Sequence, residues 1–339
     1  MKNLLMLRRT HCVKIMLIVC FGIYPILASA VDVQDAKIKK DILIRAEWGN
    51  GRGEIGEVPE ASDKTASESI NPIAVDSNNN IYIGDSINYR VLKFDSNGKY
   101  LSEINLRQYD EWPYKNIPDI IIDGNDNVYV VLLRKQKIVK YNSAGKQVSL
   151  FDLSKTGVLK KNKDGLVKVD TKSIFNISKL VLDKSGNIYV LGSEQNILKL
   201  NSKGEITQRW GPYASNALNF QFIDSQNNLY IWMPPGKDGS LFKRYDHTGK
   251  FVGNGLGIYD QIIEPFYSDS SGNVYGFTSF TDNVLAVYSN RYEKLLKLPI
   301  KQESLAFERW TVSPLGNIYY TNTVGNFELV KITVSLGDK

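Results

Sequence analysis

From residue 72 onward, short apolar runs alternate with clusters of Asp, Asn, Ser and Gly. The clearest unit opens with Pro72-Ile73-Ala74-Val75-Asp76, turns, and resumes at Asn80-Ile81-Tyr82-Ile83. It continues through Val91-Leu92-Lys93-Phe94-Asp95 into a second turn at Ser96-Asn97-Gly98-Lys99. Runs of this length between Asx/Gly turns predict antiparallel strands joined by tight hairpins. The pattern returns at Ile120 to Asp123, Leu180 to Asp183, Phe222 to Asp224, Tyr267 to Asp269 and Trp310 to Ser313. Each time an Asn-apolar-Tyr triplet follows: Asn127 to Tyr129, Asn187 to Tyr189, Asn228 to Tyr230, Asn273 to Tyr275 and Asn317 to Tyr319.

Successive first turns lie 47, 60, 41, 45 and 44 residues apart. A period in the forties with about four strands per unit predicts an all-β fold, a six-bladed β-propeller of four-stranded antiparallel blades. No helical periodicity interrupts it after residue 31. The Asp ending each first strand is placed to accept backbone N–H bonds from its turn, and the Asn before the second strand tolerates a left-handed backbone. The Tyr that follows is placed to pack between neighbouring blades.

Closure is read from the two ends. The last copy offers strands near Glu308 to Ser313, Asn317 to Thr321 and Phe327 to Val334, and a fourth is missing. Asp41 to Trp48 reads as a lone strand, so residues 42–48 are expected to complete the last blade and close the fold. The expected organisation is a signal peptide at 1–30, a polar tether at 31–41, and one propeller domain at 42–339 with an insertion at about 154–176.

Charge and cysteine content follow from the N-terminal segment. Lys2, Arg8, Arg9 and Lys14 precede the apolar run Ile15 to Leu27, which ends in Ala28-Ser29-Ala30. This is the pattern of a secretory signal peptide cut near Ala30, with a retained anchor as the alternative. Cleavage removes those four cations and lowers the net charge from +6 to +2. Support for nonspecific nucleic-acid binding goes with it, and so do Cys12 and Cys20, leaving no thiol or disulfide. The expected location is secreted, or periplasmic in the cell envelope, with membrane contact only through that envelope.

Two departures from the repeat carry candidate chemistry. Ser154 to Asn176 is lysine-rich, with Lys163-Asp164-Gly165 placed to turn a small hairpin. It reads as a solubilising loop, or as a basic lip for an acidic partner. Trp232-Met233-Pro234-Pro235-Gly236-Lys237 lengthens one loop of the fourth copy and sets an aromatic beside a Pro-Gly turn. Trp48-Gly49 and Trp210-Gly211 read as packing residues at the ends of last strands.

Residues 72 to 100 resemble an NHL repeat, carried by Pro72 to Asp76, Asn80 to Ile83 and Asp85-Ser86-Ile87-Asn88-Tyr89-Arg90-Val91. Later copies lose that Asp-Asn-Arg set, as in Arg134-Lys135-Gln136-Lys137. The resemblance implies a six-bladed propeller that binds ligands on one rim or across its channel. Candidate rim residues are Asp85, Asn88, Arg90, Arg134, Lys135, Glu194, Trp232, Lys237 and Asp282. Asp85, Glu194 and Asp282 share second-to-third-strand loops and are the carboxylates expected near the channel mouth. After cleavage the only histidine is His247, in a hairpin turn, so no Ser-His-acid set forms. The expected function is therefore noncatalytic: an exported, monomeric binding or scaffold propeller for a protein or polysaccharide, with no nucleic acid. The alternative is a calcium-dependent hydrolase or lyase acting on a small substrate at the channel mouth. No cofactor is firmly implied, calcium is possible, and the metal ligands are unassigned.

Overall fold

The computed structural model describes residues 36–56, 72–109, 116–133, 135–161, 167–173, 175–192, 196–211, 221–223, 226–232, 242–255, 264–268, 273–277, 284–288, 294–299, 309–314, 316–322 and 326–336. Strand β1 (Ala36–Ala46) is followed by a first sheet, β2 (Ile73–Val75), β3 (Ile81–Asp85), β4 (Arg90–Phe94) and β5 (Tyr100–Asn105). The second sheet holds β6 (Ile120–Ile122), β7 (Val128–Leu132), β8 (Lys137–Tyr141) and β9 (Gln147–Asp152). A hairpin, β10 (Val158–Lys161) and β11 (Val167–Asp170), then leads into the third sheet. That sheet is β12 (Ile177–Leu182), β13 (Ile188–Gly192), β14 (Ile197–Leu200) and β15 (Ile206–Trp210). The fourth is β16 (Gln221–Ile223), β17 (Leu229–Trp232), β18 (Phe242–Tyr245) and β19 (Phe251–Gly255). The fifth is β20 (Glu264–Ser268), β21 (Val274–Phe277), β22 (Val284–Tyr288) and β23 (Lys294–Pro299). The sixth contains β24 (Trp310–Val312), β25 (Ile318–Asn322) and β26 (Phe327–Leu336), with β1 paired antiparallel to β26.

First strands adjoin in cyclic order, β2 to β6, β12, β16, β20, β24 and back to β2, and so surround a central channel. The expected fold class needs correction on closure. No sheet is closed or curled on itself; each is an open, four-stranded antiparallel ladder, and β1 is an edge strand of the sixth. Four strands are too few to close a sheet, which takes about eight. The N-terminal strand also runs earlier than residues 42–48. It starts at Ala36 and stops at Ala46, and Trp48 lies beyond it in a lone parallel bridge to Ile55. The Ser289-Asn290-Arg291 turn of the fifth copy lies outside the described residues.

Apolar residues alternate to both faces of each sheet, so the core lies between sheets. One cluster joins Ala74, Tyr82 and Val91 of the first sheet to Val128, Val130 and Val139 of the second. Others join the second sheet to the third, the third to the fourth, the fifth to the sixth, and the sixth to the first. The repeated Tyr enters these clusters at Tyr82, Tyr129, Tyr189, Tyr275 and Tyr319.

A polar knot sits at the end of each early first strand. Asp123 Oδ1 accepts from Asn125 N at 3.0 Å and Asn127 N at 2.9 Å. Its Oδ2 accepts from Asn127 Nδ2 at 2.9 Å, Tyr129 Oη at 3.1 Å and Lys140 Nζ at 3.1 Å. Lys140 also lies 4.8 Å from the centre of the Tyr129 ring. Asp76, Asn80 and Tyr82 repeat these bonds, as do Asp183, Asn187 and Tyr189; Lys93 and Lys199 lie over the Tyr82 and Tyr189 rings, and Lys93 Nζ donates to Ser143 O. The left-handed residue of this turn is one place earlier than expected: Asn79, Asp126, Gly186, Asn227 and Gly316 carry positive φ. In the first three knots, the following Asn is held by its side chain and backbone to the turn Asp.

At the second turn, Gly98 has φ of 83°. A Cβ there would lie 1.9 Å from the Leu43 carbonyl oxygen of β1, so glycine is required twice over. Gly98→Ala should cost about 1–3 kcal/mol in urea unfolding; an unchanged midpoint would contradict this seam.

Burial pushes the Asp123 carboxyl upward, but the bonds from Asn127 and Lys140 outweigh it and hold the carboxyl below its usual value. A depressed carboxylate contributes stability above the ordinary Asp range and loses it as pH falls through the folded value. Asp123→Ala should lower stability by about 2–3 kcal/mol at neutral pH. The loss should shrink on acidification, as unfolding curves at neutral and acid pH will show.

Candidate functional site at the channel mouth

Asp85, Asn88 and Arg90 come together on the β3–β4 connection, but they face the chain rather than a ligand. Asp85 is fully buried, and Oδ1 accepts from Gly56 N at 3.2 Å and Asn88 N at 3.1 Å. Its Oδ2 accepts from Asn88 Nδ2 at 2.7 Å and Arg90 Nε at 3.0 Å. The Arg90 guanidinium also donates to Asn50 O, Glu54 O and Glu103 Oε2, at 3.1, 2.8 and 2.9 Å. Asn88 Nδ2 reaches Gly49 O at 2.7 Å. The set clasps the segment from Gly49 to Gly56 onto the first sheet.

Lys135 is exposed beside the β7–β8 turn, and Trp232 ends β17 opposite Phe242. Arg134, Glu194, Lys237 and Asp282 lie outside the described residues. His247 is exposed in its turn. The basic insertion is docked rather than free: Asn196 Oδ1 accepts from Leu159 N at 2.5 Å, and its Nδ2 donates to Leu159 O at 3.2 Å.

A different set of charges gathers at the channel. Four residues before the first-turn residue of each copy stand Pro72, Asp119, Lys179 and Arg309 in the first, second, third and sixth sheets. The backbone shows that the positions are equivalent. Pro72 O accepts from Gly84 N at 2.9 Å, Asp119 O from Val131 N at 3.2 Å, and Arg309 O from Thr321 N at 3.0 Å. Lys179 pairs with Leu191 at the same register of its sheet. Asp119 and Arg309 immediately precede β6 and β24, and Lys179 lies within β12 at the same register. The third and sixth sheets are three places apart in a ring of six, so Lys179 and Arg309 stand on opposite sides of the axis.

Each side chain is positioned by its own sheet. Ile117 N donates to Ser86 Oγ at 3.1 Å, holding the segment before Asp119. Asp119 Oδ1 then accepts from Ile120 N at 3.1 Å, and Oδ2 reaches the next sheet to accept from Leu180 N at 2.8 Å, beside Lys179. The β12 ladder shifts register between Ile177 and Lys179, a bulge that re-aims the lysine. Arg309 is followed by Trp310, whose ring stacks on Tyr320 at 4.5 Å and meets Phe277 edge-on at 5.0 Å. Arg309 N donates to Thr321 Oγ1 at 2.9 Å. Among the described residues, its buried Nε has no hydrogen-bond partner.

The three groups are half-buried yet surrounded by protein, as groups lining a narrow channel are. Burial pushes the Asp119 carboxyl up, opposed by the Lys179 charge and by the bonds it accepts. Burial pushes the Lys179 ammonium down; Asp119 opposes the shift and Arg309 adds to it. Burial also lowers Arg309. Perturbed groups of opposite type sharing a cleft are a recurrent feature of functional sites. The motif reading passed over this trio because the repeat was aligned on its Asp and Asn turns. The signal was the exchange of Pro72 for charge at equivalent positions.

Calcium was considered from the sequence with Asp85, Glu194 and Asp282, and the last two lie outside the described residues. That ion takes six to eight oxygens, roughly 2.3–2.6 Å away. Here Asp119 stands with two cations, and Glu264 pairs with Phe277 at the same register of the fifth sheet. Among the described residues no three His, Cys, Asp or Glu side chains come together.

Residues 60–235 match a family described as 6-bladed beta-propeller, DUF5128. The chain belongs to that family. Comparison with curated protein sequences gives no match. Among solved structures it is similar to virginiamycin B lyase from Staphylococcus aureus, at 12% identity over 88% of this chain and 99% of that one, with a TM-score of 0.52. It is similar to a protein of unknown function from Bacteroides thetaiotaomicron, at 12% identity over 88% and 76%, with a TM-score of 0.57. A gluconolactonase from Xanthomonas campestris matches at 12% identity over 78% and 85%, with a TM-score of 0.50. At these identities the likeness shows the fold. The finding also corrects the expected function. Among the structures named here, the propellers of stated activity are lyases and a gluconolactonase, which runs against the expectation of a noncatalytic scaffold that is more a binder than an enzyme.

The clasp generates its own test. Truncating one partner of a buried ion pair strands the other, so Asp85→Ala should cost about 3–5 kcal/mol in chemical denaturation. A variant as stable as the parent would show that Asp85 is not structural.

Proposed function

We propose that this protein is an exported propeller hydrolase or lyase acting on a small substrate at the channel mouth. The supporting observation is the trio Asp119, Lys179 and Arg309, set at equivalent positions around the axis with the two cations opposed. In this reading Lys179 and Arg309 stabilise negative charge developing on a substrate oxygen, as charges fixed before the reaction do. Asp119, its carboxyl raised by burial, transfers the proton. Export rests on the N-terminal segment, and the first repeat is read as an NHL-like unit within a divergent propeller.

The test is turnover of a panel of lactones and cyclic esters, gluconolactone and a streptogramin B among them, by the purified protein. Activity should fall on the order of 100-fold in Arg309→Gln and in Asp119→Asn. Melting temperatures should stay close to the parent's. Turnover that survives both substitutions, or a panel left wholly unconverted, would contradict the reading.

A further inference from the structure

We infer that the β10–β11 hairpin and the turns beside it form a docking surface for an acidic polysaccharide, independent of the channel chemistry. Residues 154–176 hold six lysines against Asp164 and Asp170, a net charge of +4. Residues 31–339 carry +2 in all, so outside the insertion the propeller is net acidic. β12 pairs antiparallel with β13, with Ile177 opposite Gly192, so the insertion enters at the end of the third sheet that carries Lys179. Lys135, beside the β7–β8 turn, lies at the same end of the second sheet, where Asp119 O accepts from Val131 N.

The root of the hairpin is fixed. Val158 and Phe175 are buried in the core between the second and third sheets. The Phe175 ring lies so close to Gly192 that a Cβ there would stand 2.2 Å from it. Asn196 holds both backbone groups of Leu159. Lysines carried on such a root dock without the cost of ordering a loop. The tip, residues 162–166, lies outside the described residues, as does Glu194.

The fold leaves these cations uncompensated. Lys160 stands directly opposite Lys168 in the ladder, and like charges so placed destabilise an antiparallel pair. Asp170 offsets Lys160, with Oδ2 3.3 Å from Nζ, and it also accepts from Ser173 Oγ at 2.7 Å and Lys172 N at 3.0 Å. Asp152 is paired with Lys137 at 3.4 Å. The exposed Lys135, Lys155, Lys168 and Lys172 therefore have no acidic partner among the described residues.

The residue types select the partner. A lysine ammonium is a hydrated point charge, whereas phosphate recognition favours the arginine fork and nucleic-acid bases favour aromatic platforms. The insertion has no arginine, and its one aromatic, Phe175, is buried. Val169 is the one exposed large apolar side chain among its described residues. Protein interfaces are depleted in lysine and have an apolar core, which this surface lacks. A chain of sugars bearing carboxylates or sulfates needs neither.

Isothermal titration calorimetry of the purified protein with polygalacturonate and dextran sulfate oligosaccharides, and with neutral dextran, tests this. One or both acidic chains should bind, more weakly as salt rises, and neutral dextran should not. The preferred chain tells carboxylate from sulfate recognition. The triple variant Lys155→Gln, Lys168→Gln, Lys172→Gln should bind about tenfold or more weakly. A second triple variant, Lys99→Gln, Lys146→Gln, Lys203→Gln, removes equal charge from exposed turns at the opposite end of the sheets and should bind like the parent. Thermal melting checks that both are folded. Lys168→Gln alone, which relieves a like-charge pair, should still weaken binding and keeps the comparison open if the first triple variant does not fold. Three results overturn the inference: neither acidic chain binds at millimolar concentration, both triple variants lose affinity equally, or single-stranded DNA binds more tightly than either polysaccharide. None of these outcomes depends on turnover in the channel.

Discussion

Apolar residues of the described strands lie on both faces of a sheet too small to bury either by itself. Its faces are covered by its neighbours, so each sheet depends on the next around the channel. Burying one CH₂ is worth only about 0.8 kcal/mol, and a core assembled from five described inter-sheet clusters has no independent part. The polar knots follow from the same constraint. A Tyr wedged between sheets carries its hydroxyl into the interior, and Asp76, Asp123 and Asp183 accept it.

The channel exists because first strands are short and meet around an axis rather than pack across it. Charged side chains at this register of the first strands share a confined space whichever sheet supplies them. Asp119 binds the backbone of the next sheet while it faces Lys179, so the architecture and the candidate chemistry use one carboxylate. Asp85 shows the contrast. Its four accepted bonds all come from the chain itself.

Much of the architecture was legible in the Asp, Asn and Tyr marks, because each has a local physical cause: a turn to close, a strand to begin, a gap to fill. Closure was misjudged, since counting strands says which sheet lacks one but not that a four-stranded sheet stays open. The left-handed residue was placed at Asn80 rather than Asn79, since a motif does not say which of two adjacent Asn residues the Asp will hold. The site was hidden for a different reason. Asp119, Lys179 and Arg309 are 60 and 130 residues apart in sequence, and no local pattern joins them. Only the equivalence of their register, read against Pro72, brings them to one place. The loop residues Asp85, Asn88 and Arg90 match a family motif, and in the structure they bond one another and the segment from Gly49 to Gly56.

The most direct examination of the central claim is a crystal structure of the protein. The account predicts the side chains of Asp119, Lys179 and Arg309 turned into one mouth of the channel. Any of the three turned away from the axis would contradict it.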